Sequence, residues 1–467
     1  MTSDDHVLGW GELLSVRYRL STLTLVLSIA LHATNFFIFA TLAPSVVADI
    51  GGLDLLSWAT TLFVITSVIS SAAGGLLKAV LGGRRSLILA SLGFGLGSAV
   101  TAVAPNMEVV LVGRTIQGLG AGLLTAYSHG MVRDLFPSSS WARMFAVVSG
   151  GWGIAALAGP LIGGIFAEYD IWRWGFGMMV IAAGLFITIS LRAVPDSGGG
   201  EKMGSWAPVV RLALLGSSAL LLGGAGKSEI PGSDVLLLGL SAALIIATVV
   251  WERRAAIPLF PRDMFRPTTV LGGGVLFVFG VSFATATTAI YGPLLFRVIH
   301  DIPIMSTGYI VTTQSILWTL AAIIFSGISR GGSRLACATG PAITGAGILG
   351  VGLFLPDGPL WAAVAAIAIL GFGIGLAWGH IGRFVLEAAG EADRDRVTSV
   401  MPTMQSIGVA FGSAAAGLVA NANGFAHDLT VEAARTVAFW IYIGLSPAIA
   451  IALIGAVRVA LGTRIAP

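Results

Sequence analysis

Leu23–Val46 reads LTLVLSIALHATNFFIFATLAPSV, an apolar block with no Asp, Glu, Lys or Arg. Roughly 20 such residues, wound as a helix, cross the hydrocarbon core of a bilayer. Similar blocks, each bounded by Gly, Pro or charges, recur to the end of the chain. They predict spans at Leu55–Lys78, Leu87–Val103, Val109–Met131, Met144–Phe166 and Trp174–Leu191, completing a first set of six. Val209–Leu222 and Val235–Val250 form a central pair, with Arg211 interrupting the start of the first. A second set of six covers Val270–Leu295, Gly308–Ile328, Leu335–Phe354, Leu360–Val385, Val397–Ala420 and Ala434–Leu461. The expected fold is an all-α polytopic membrane protein with fourteen transmembrane helices.

Composition supports this reading. Of 467 residues, 56% are hydrophobic and 10% are charged, whereas a soluble domain carries about 25% charged residues to cover its surface. The net charge of +3 is spread over separate short loops, which argues against nucleic acid as a partner. Cys337 is the single cysteine, so no disulfide framework exists within the chain. Asp4, Asp5 and Glu12 near the start do not suit a cleavable leader, and the first span is expected to serve as the membrane signal.

Positive charges sort strongly between alternate loops. Arg84, Arg85, Arg133, Arg143, Arg253, Arg254, Arg330 and Arg334 are among the many on one side, while the other has only Arg173, Lys227, Arg297 and Arg435. Lys and Arg accumulate in cytoplasmic loops, so both termini are expected inside. The expected division is a cytoplasmic segment at 1–19, a six-helix bundle at 20–194 and two additional helices with linkers at 195–266. A second six-helix bundle at 267–461 and a tail at 462–467 complete it. A weak repeat relates the halves: Gly82-Gly83-Arg84-Arg85 follows the second span, and Gly331-Gly332-Ser333-Arg334 follows the tenth. Two halves related in this way are a known transporter plan, with the solute site near the midplane.

Several local patterns resemble the major facilitator superfamily, and within it the fourteen-span drug:proton antiporter branch. Arg114-Thr-Ile-Gln117-Gly118-Leu-Gly120-Ala-Gly122 looks like its Arg-x-x-Gln-Gly motif, and Gly159-Pro160-Leu-Ile-Gly163-Gly164 like the antiporter motif. Trp172-Arg173-Trp174, Glu252 to Pro258 and Gln405-Ser-Ile-Gly408 also fit. The loop motif is represented by Gly75, Leu77, Gly82, Arg84 and Arg85, with Ala79 where the family has an acid. Counting back from Pro44, the branch's membrane-embedded Asp falls on Asn35. The resemblance implies a major facilitator fold with two six-helix bundles and two extra central helices. It also implies alternating access driven by an ion gradient, and a conformational role for Gly159, Pro160, Gly163 and Gly164.

Apart from Arg211 at the start of the seventh span, Arg114 is the one charge well inside the expected spans, about 9 Å from the outer edge at 1.5 Å per residue. A charge there costs several kcal/mol unless paired or wet. It is either a substrate or gating charge, or a static clamp on helix-end carbonyls and on Gln117, three residues away on the same face. His32 lies near mid-membrane, one turn from Asn35, and is either the nearest proton acceptor or a neutral histidine bonded to a carbonyl. His129 and His380 fall near the cytoplasmic edge and read as interfacial. If the family's equivalence of spans one, four, nine and twelve holds, solute contacts are expected at Phe36, Phe39, Tyr127, Thr285, Thr288, Tyr291 and Trp378.

No phosphate-binding loop, nucleophile elbow or Cys/His cluster occurs, so neither cofactor, metal nor enzymatic activity is expected. The leading expectation is a monomeric transporter in the cell (inner) membrane, exporting small amphipathic organic solutes in exchange for protons. A solute:proton symporter or facilitator, taking a small and even anionic solute, is the alternative on the same scaffold. A non-transporting receptor or assembly subunit would need a larger extramembrane domain than these loops allow.

Overall fold

The computed structural model describes residues 18–462 together with residues 12 and 15, apart from 137–140, 197–199, 201–204, 226–232, 256–257, 259, 390–393 and 426–429. Among the described residues all regular structure is helical. The first group is α1 (Arg19–Ile50), α2 (Leu56–Leu81), α3 (Gly83–Ala102), α4 (Met107–Leu135), α5 (Trp141–Glu168) and α6 (Trp172–Ala193). The central pair is α7 (Ala207–Gly224) and α8 (Ser233–Arg254). Then come α9 (Val270–His300), α10 (Ile304–Ile324), α11 (Arg330–Asp357), α12 (Leu360–Ala388), α13 (Arg394–Ala422), α14 (Val431–Leu445) and α15 (Ala448–Gly462).

Among the described residues thirteen helical stretches are long and apolar enough to cross a membrane, with Val431–Gly462 counted as one. α5, whose apolar stretch Gly153–Glu168 is shorter, brings the number to the expected fourteen. One expected span differs in form: Ala434–Leu461 is not continuous but breaks between α14 and α15 at Ser446 and Pro447. Proline lacks the amide hydrogen that would continue the ladder. α7 runs straight through Arg211, which is buried and donates from Nε to the Ala207 carbonyl one turn back at 3.1 Å.

Helix starts follow ordinary capping chemistry. Asn106 accepts from the Val109 amide at 3.0 Å and Thr269 from Gly272 at 3.0 Å, while Ser329 accepts from Gly332 at 3.2 Å. Each side-chain oxygen satisfies an amide that has no partner in the first turn. Gly82 lies between α2 and α3 at φ +82°, a region that only glycine enters without strain. Leu96, Ile181, Val235 and Ile324 are more than half exposed. Large apolar side chains exposed on so many helices are unfavourable against water and comfortable against lipid.

Contacts divide the chain into two compact units, residues 1–51 with 65–213 and residues 52–64 with 214–467. The division cuts α2, whose first turns belong to the second unit. There Thr61 donates to the Ser413 hydroxyl at 2.8 Å, Ser413 to the Ser57 carbonyl at 3.0 Å, and the Asn421 amide to the Asp54 carbonyl at 3.2 Å. In the first unit Trp172 Nε1 donates to Asp49 at 3.0 Å, and Arg173 pairs with the same carboxylate. The Trp-Arg-Trp motif thus pins the start of α6 to the end of α1.

Both units use glycine to press helices together in the same way. A Cβ on Gly97 of α3 would collide with the Gln117 amide of α4, and a Cβ on Gly347 of α11 would collide with the Leu370 amide of α12. Likewise Gly120 abuts Phe94 while Gly373 abuts Thr344; Gly122 abuts the Ser67 carbonyl while Gly375 abuts the Trp318 carbonyl. Small residues allow membrane helices this close an approach. The two units therefore share a glycine frame in which α4 corresponds to α12 and α3 to α11.

Candidate functional site

In the first unit four polar side chains, each with no solvent exposure, meet where α1, α3 and α4 touch: Asn35, Ser98, Arg114 and Gln117. Gln117 is the hub. Its Nε2 donates to Asn35 Oδ1 at 2.9 Å and to Ser98 Oγ at 2.8 Å, and its Oε1 accepts from Arg114 Nη1 at 2.6 Å. Ser98 donates onward to the Phe94 carbonyl at 2.8 Å. With both amide hydrogens committed to neutral acceptors, the Gln117 carbonyl oxygen is held toward the guanidinium. On another side the Arg114 Cζ stands 4.4 Å from the centre of the Phe39 ring, a favourable placement of a cation over a π face.

The acids of α1 to α6 are Asp49, Glu108, Asp134 and Glu168, all at helix ends. Arg114 is thus a buried cation held beside an amide and over an aromatic ring. Such a site suits a negatively charged or strongly polarised group arriving beside it. His32, two turns before Phe39 on α1, hydrogen-bonds the Ala121 main chain of α4, so it too bridges α1 and α4.

The second unit holds the same positions with different contents. Asn35 lies nine residues before Pro44, and Ala284 nine before Pro293. Ser98 follows Gly97 as Ile348 follows Gly347, and Arg114 and Gln117 precede Gly120 as Ile367 and Leu370 precede Gly373. Ala284, Ile348, Ile367 and Leu370 are all buried. The frame is therefore satisfied by a fully apolar set, and the polar quartet of the first unit is not a requirement of packing.

The remaining sequence-derived candidates are dispersed. Tyr127 is buried in α4 but thirteen residues from Arg114, about 20 Å along the helix, and the His129 side chain lies outside the described residues. Phe36 is half-buried, edge-on to Phe37. Phe39, expected as a solute contact, packs its ring against the Arg114 guanidinium. In the second unit Thr285 returns its hydroxyl to the Val281 carbonyl at 2.9 Å. Thr288 and Tyr291 are fully buried, and Tyr291 lies 6.0 Å edge-to-face from Phe425. Trp378 is half-buried against Trp318 and Phe277. His380 is buried and bonds the Phe325 main chain.

Among the conformational candidates, Gly159 and Gly163 seat α5 on Phe37 and Thr41 of α1, with Pro160 between them in the helix and Gly164 buried. Gly75 has open space at its Cβ position, Arg84 is half-buried, and Arg85 lies 3.8 Å from Asp196 at the surface. Ser98 was not marked by sequence, since one serine among many carries no signal until its partner is known. Trp318 and Phe277 went unmarked for the same reason.

The profile of the Major Facilitator Superfamily matches residues 25–413. The chain belongs to this superfamily. Among superfamily members, it is 33% identical over 438 residues to the Mycobacterium tuberculosis protein named "Probable multidrug-efflux transporter Rv1634", covering 88% of this chain and 90% of that one. It is 26% identical over 405 residues to the Bacillus subtilis multidrug transporter protein MdtP, covering 85% and 74%. The fold matches that of a D-xylose-proton symporter with a TM-score of 0.63 at 16% identity, covering 92% of this chain and 97% of that one. It matches the POT family transporter PepTSo with a TM-score of 0.65 at 18% identity, covering 96% and 98%. This major facilitator chain is thus a multi-pass membrane protein of a transporter family.

Proposed function

We propose that this chain is a secondary active transporter that exports small amphipathic organic molecules by alternating access, in exchange for protons. It would lie in the cell (inner) membrane with both termini in the cytoplasm. The observation that carries the reading is the buried Arg114–Gln117–Asn35–Ser98 network, which stands where the matching frame of the second unit holds Ile367, Leu370, Ala284 and Ile348. A charge kept in the apolar interior without a packing need is a functional group by default. The efflux named for the Mycobacterium relative supports the direction of transport.

In this reading Arg114 receives the polar or anionic end of the solute, Phe39 and Gln117 hold the guanidinium in place, and His32 is the proton carrier. A second reading, solute:proton symport or facilitated uptake, is favoured by Asn35 and Ala79, which stand where the resembling branch has acids. Solute-loaded proteoliposomes separate the two. An acidic exterior accelerates solute loss under exchange and drives uptake under symport, and it has no effect on a facilitator. Solute movement that is indifferent to both Arg114→Met and His32→Ala rejects the site in every version.

A further inference from the structure

The frame shared by the two units also exposes a contrast in the opposite sense. Ser28 stands sixteen residues before Pro44, and Phe277 sixteen before Pro293. Thr125 is three residues after Gly122, and Trp378 three after Gly375. The carbonyl facing Gly122 is that of Ser67, and the carbonyl facing Gly375 is that of Trp318. Three small hydroxyl residues in the first unit thus match three aromatics in the second.

Those aromatics form one cluster. The Trp318 and Trp378 rings are 4.9 Å apart at 57°, and Phe277 lies 5.9 Å from Trp378 at 58°. Phe277 is buried, while both indoles keep part of their surface exposed. They do not fill the gap between α10 and α12, because that gap is closed by backbone: a Cβ on Gly371 or Gly375 would collide with the Gln314 or Trp318 carbonyl. The indoles stand beside a seam that is complete without them. Gln314 lies one turn from Trp318 on α10, placing an amide on the same helix face.

We propose that Trp318 and Trp378, braced by Phe277, form a stacking platform that selects transported solutes carrying a planar conjugated ring. The inference rests on the transport reading above and adds to it the class of solute. An aromatic pair gains from flat, polarisable partners beyond what burial of equal area gives. A saturated molecule of the same size and charge lacks that gain.

The test compares naphthoate with its fully saturated decalin counterpart, and the corresponding amine pair, by thermal-shift titration of the purified protein. The wild-type protein is expected to bind at least one flat member about tenfold tighter than its saturated twin. Trp318→Leu and Trp378→Leu, which keep an apolar side chain without a π face, are expected to bring that ratio close to one. Trp318→Phe and Trp378→Phe retain most of it. Trp361→Phe, at an exposed position on the same helix, leaves it unchanged.

A ratio near one in the wild-type protein, weak or absent response to every member included, overturns the platform. So does a ratio that survives both Leu changes. Should a Leu variant fail to fold, a diazirine-bearing naphthoate photolinked to the wild-type protein gives an independent answer. Label on the Trp318 or Trp378 peptides supports the proposal, and label confined elsewhere overturns it. Counterflow of the same solutes in proteoliposomes separates the two readings. Ring preference without counterflow sinks transport and keeps the platform, and counterflow without preference does the reverse.

Discussion

Six residues before Gly120 stands Arg114, and six before Gly373 stands Ile367. Both are fully buried, and both sit on a helix drawn against its neighbour by the same glycines. Around Arg114 the chain supplies Gln117, Asn35 and Ser98; around Ile367 it supplies Leu370, Ala284 and Ile348. The contrast runs the other way at Ser28, Ser67 and Thr125, matched by Phe277, Trp318 and Trp378. Backbone approach fixes the helices, so the side chains at these places are free to specialise. One unit has specialised in charge and directed hydrogen bonds, the other in aromatic surface.

The sharpest way to break this comparison is to exchange the contents. Ile367→Arg puts a cation into a site with no amide to receive it, and should destabilise the protein by about 3 kcal/mol, read as a fall in melting temperature in detergent. Tolerance of that change would mean that the second unit also holds water or polar partners there. Next comes Arg114→Met, expected to lower solute counterflow about a hundredfold, equivalent to about 2.7 kcal/mol. Its stability should change little, because relief from holding a desolvated charge offsets the loss of about 1–3 kcal/mol when the buried Gln117 carbonyl oxygen is left without its donor. A large loss of stability instead would identify Arg114 as a structural clamp.

Gln117→Leu should come third. It leaves Asn35 and Arg114 short of a buried partner, at about 1–3 kcal/mol, whereas Leu370→Gln in the other unit introduces an amide with no prepared acceptors at a similar cost. Thermal melts of both variants and of the pair would show whether the two sites respond independently. Gly97→Ala and Gly347→Ala test the shared frame itself. Each forces neighbouring backbone apart, at about 1–3 kcal/mol, and the two losses should agree within a factor of two. The smallest effect belongs to Asp49→Asn. The Arg173–Asp49 pair is exposed, so its loss should cost at most about 1 kcal/mol and should shrink further at high salt.

Much of the fold was legible in the chain because each span carries its own solvent preference. The composition of Leu23–Val46 or Val235–Val250 is enough to place it in lipid, without knowing its neighbours. The repeat was only faintly visible through Gly82–Arg85 and Gly331–Arg334, yet the structure reveals it clearly in the pairing of Gly97 with Gly347 and Gly120 with Gly373. Glycine is too common here, with 63 in the chain, for spacing alone to say which ones touch backbone. The break at Pro447 was missed because proline within α1, α5 and α9 leaves those helices intact, so its presence does not by itself end a span.

Sequence by itself determined that this polypeptide dissolves in a bilayer, how often it crosses, and that Arg114 is an anomaly there, since hydrophobic transfer is nearly a sum over residues. Only the tertiary structure decided which way Gln117 faces, that Asn35 and Ser98 hold it, and that Trp318 meets Trp378. Those contacts join residues 82, 19 and 60 positions apart. They depend on the rotation and spacing of separate helices, which no local pattern encodes.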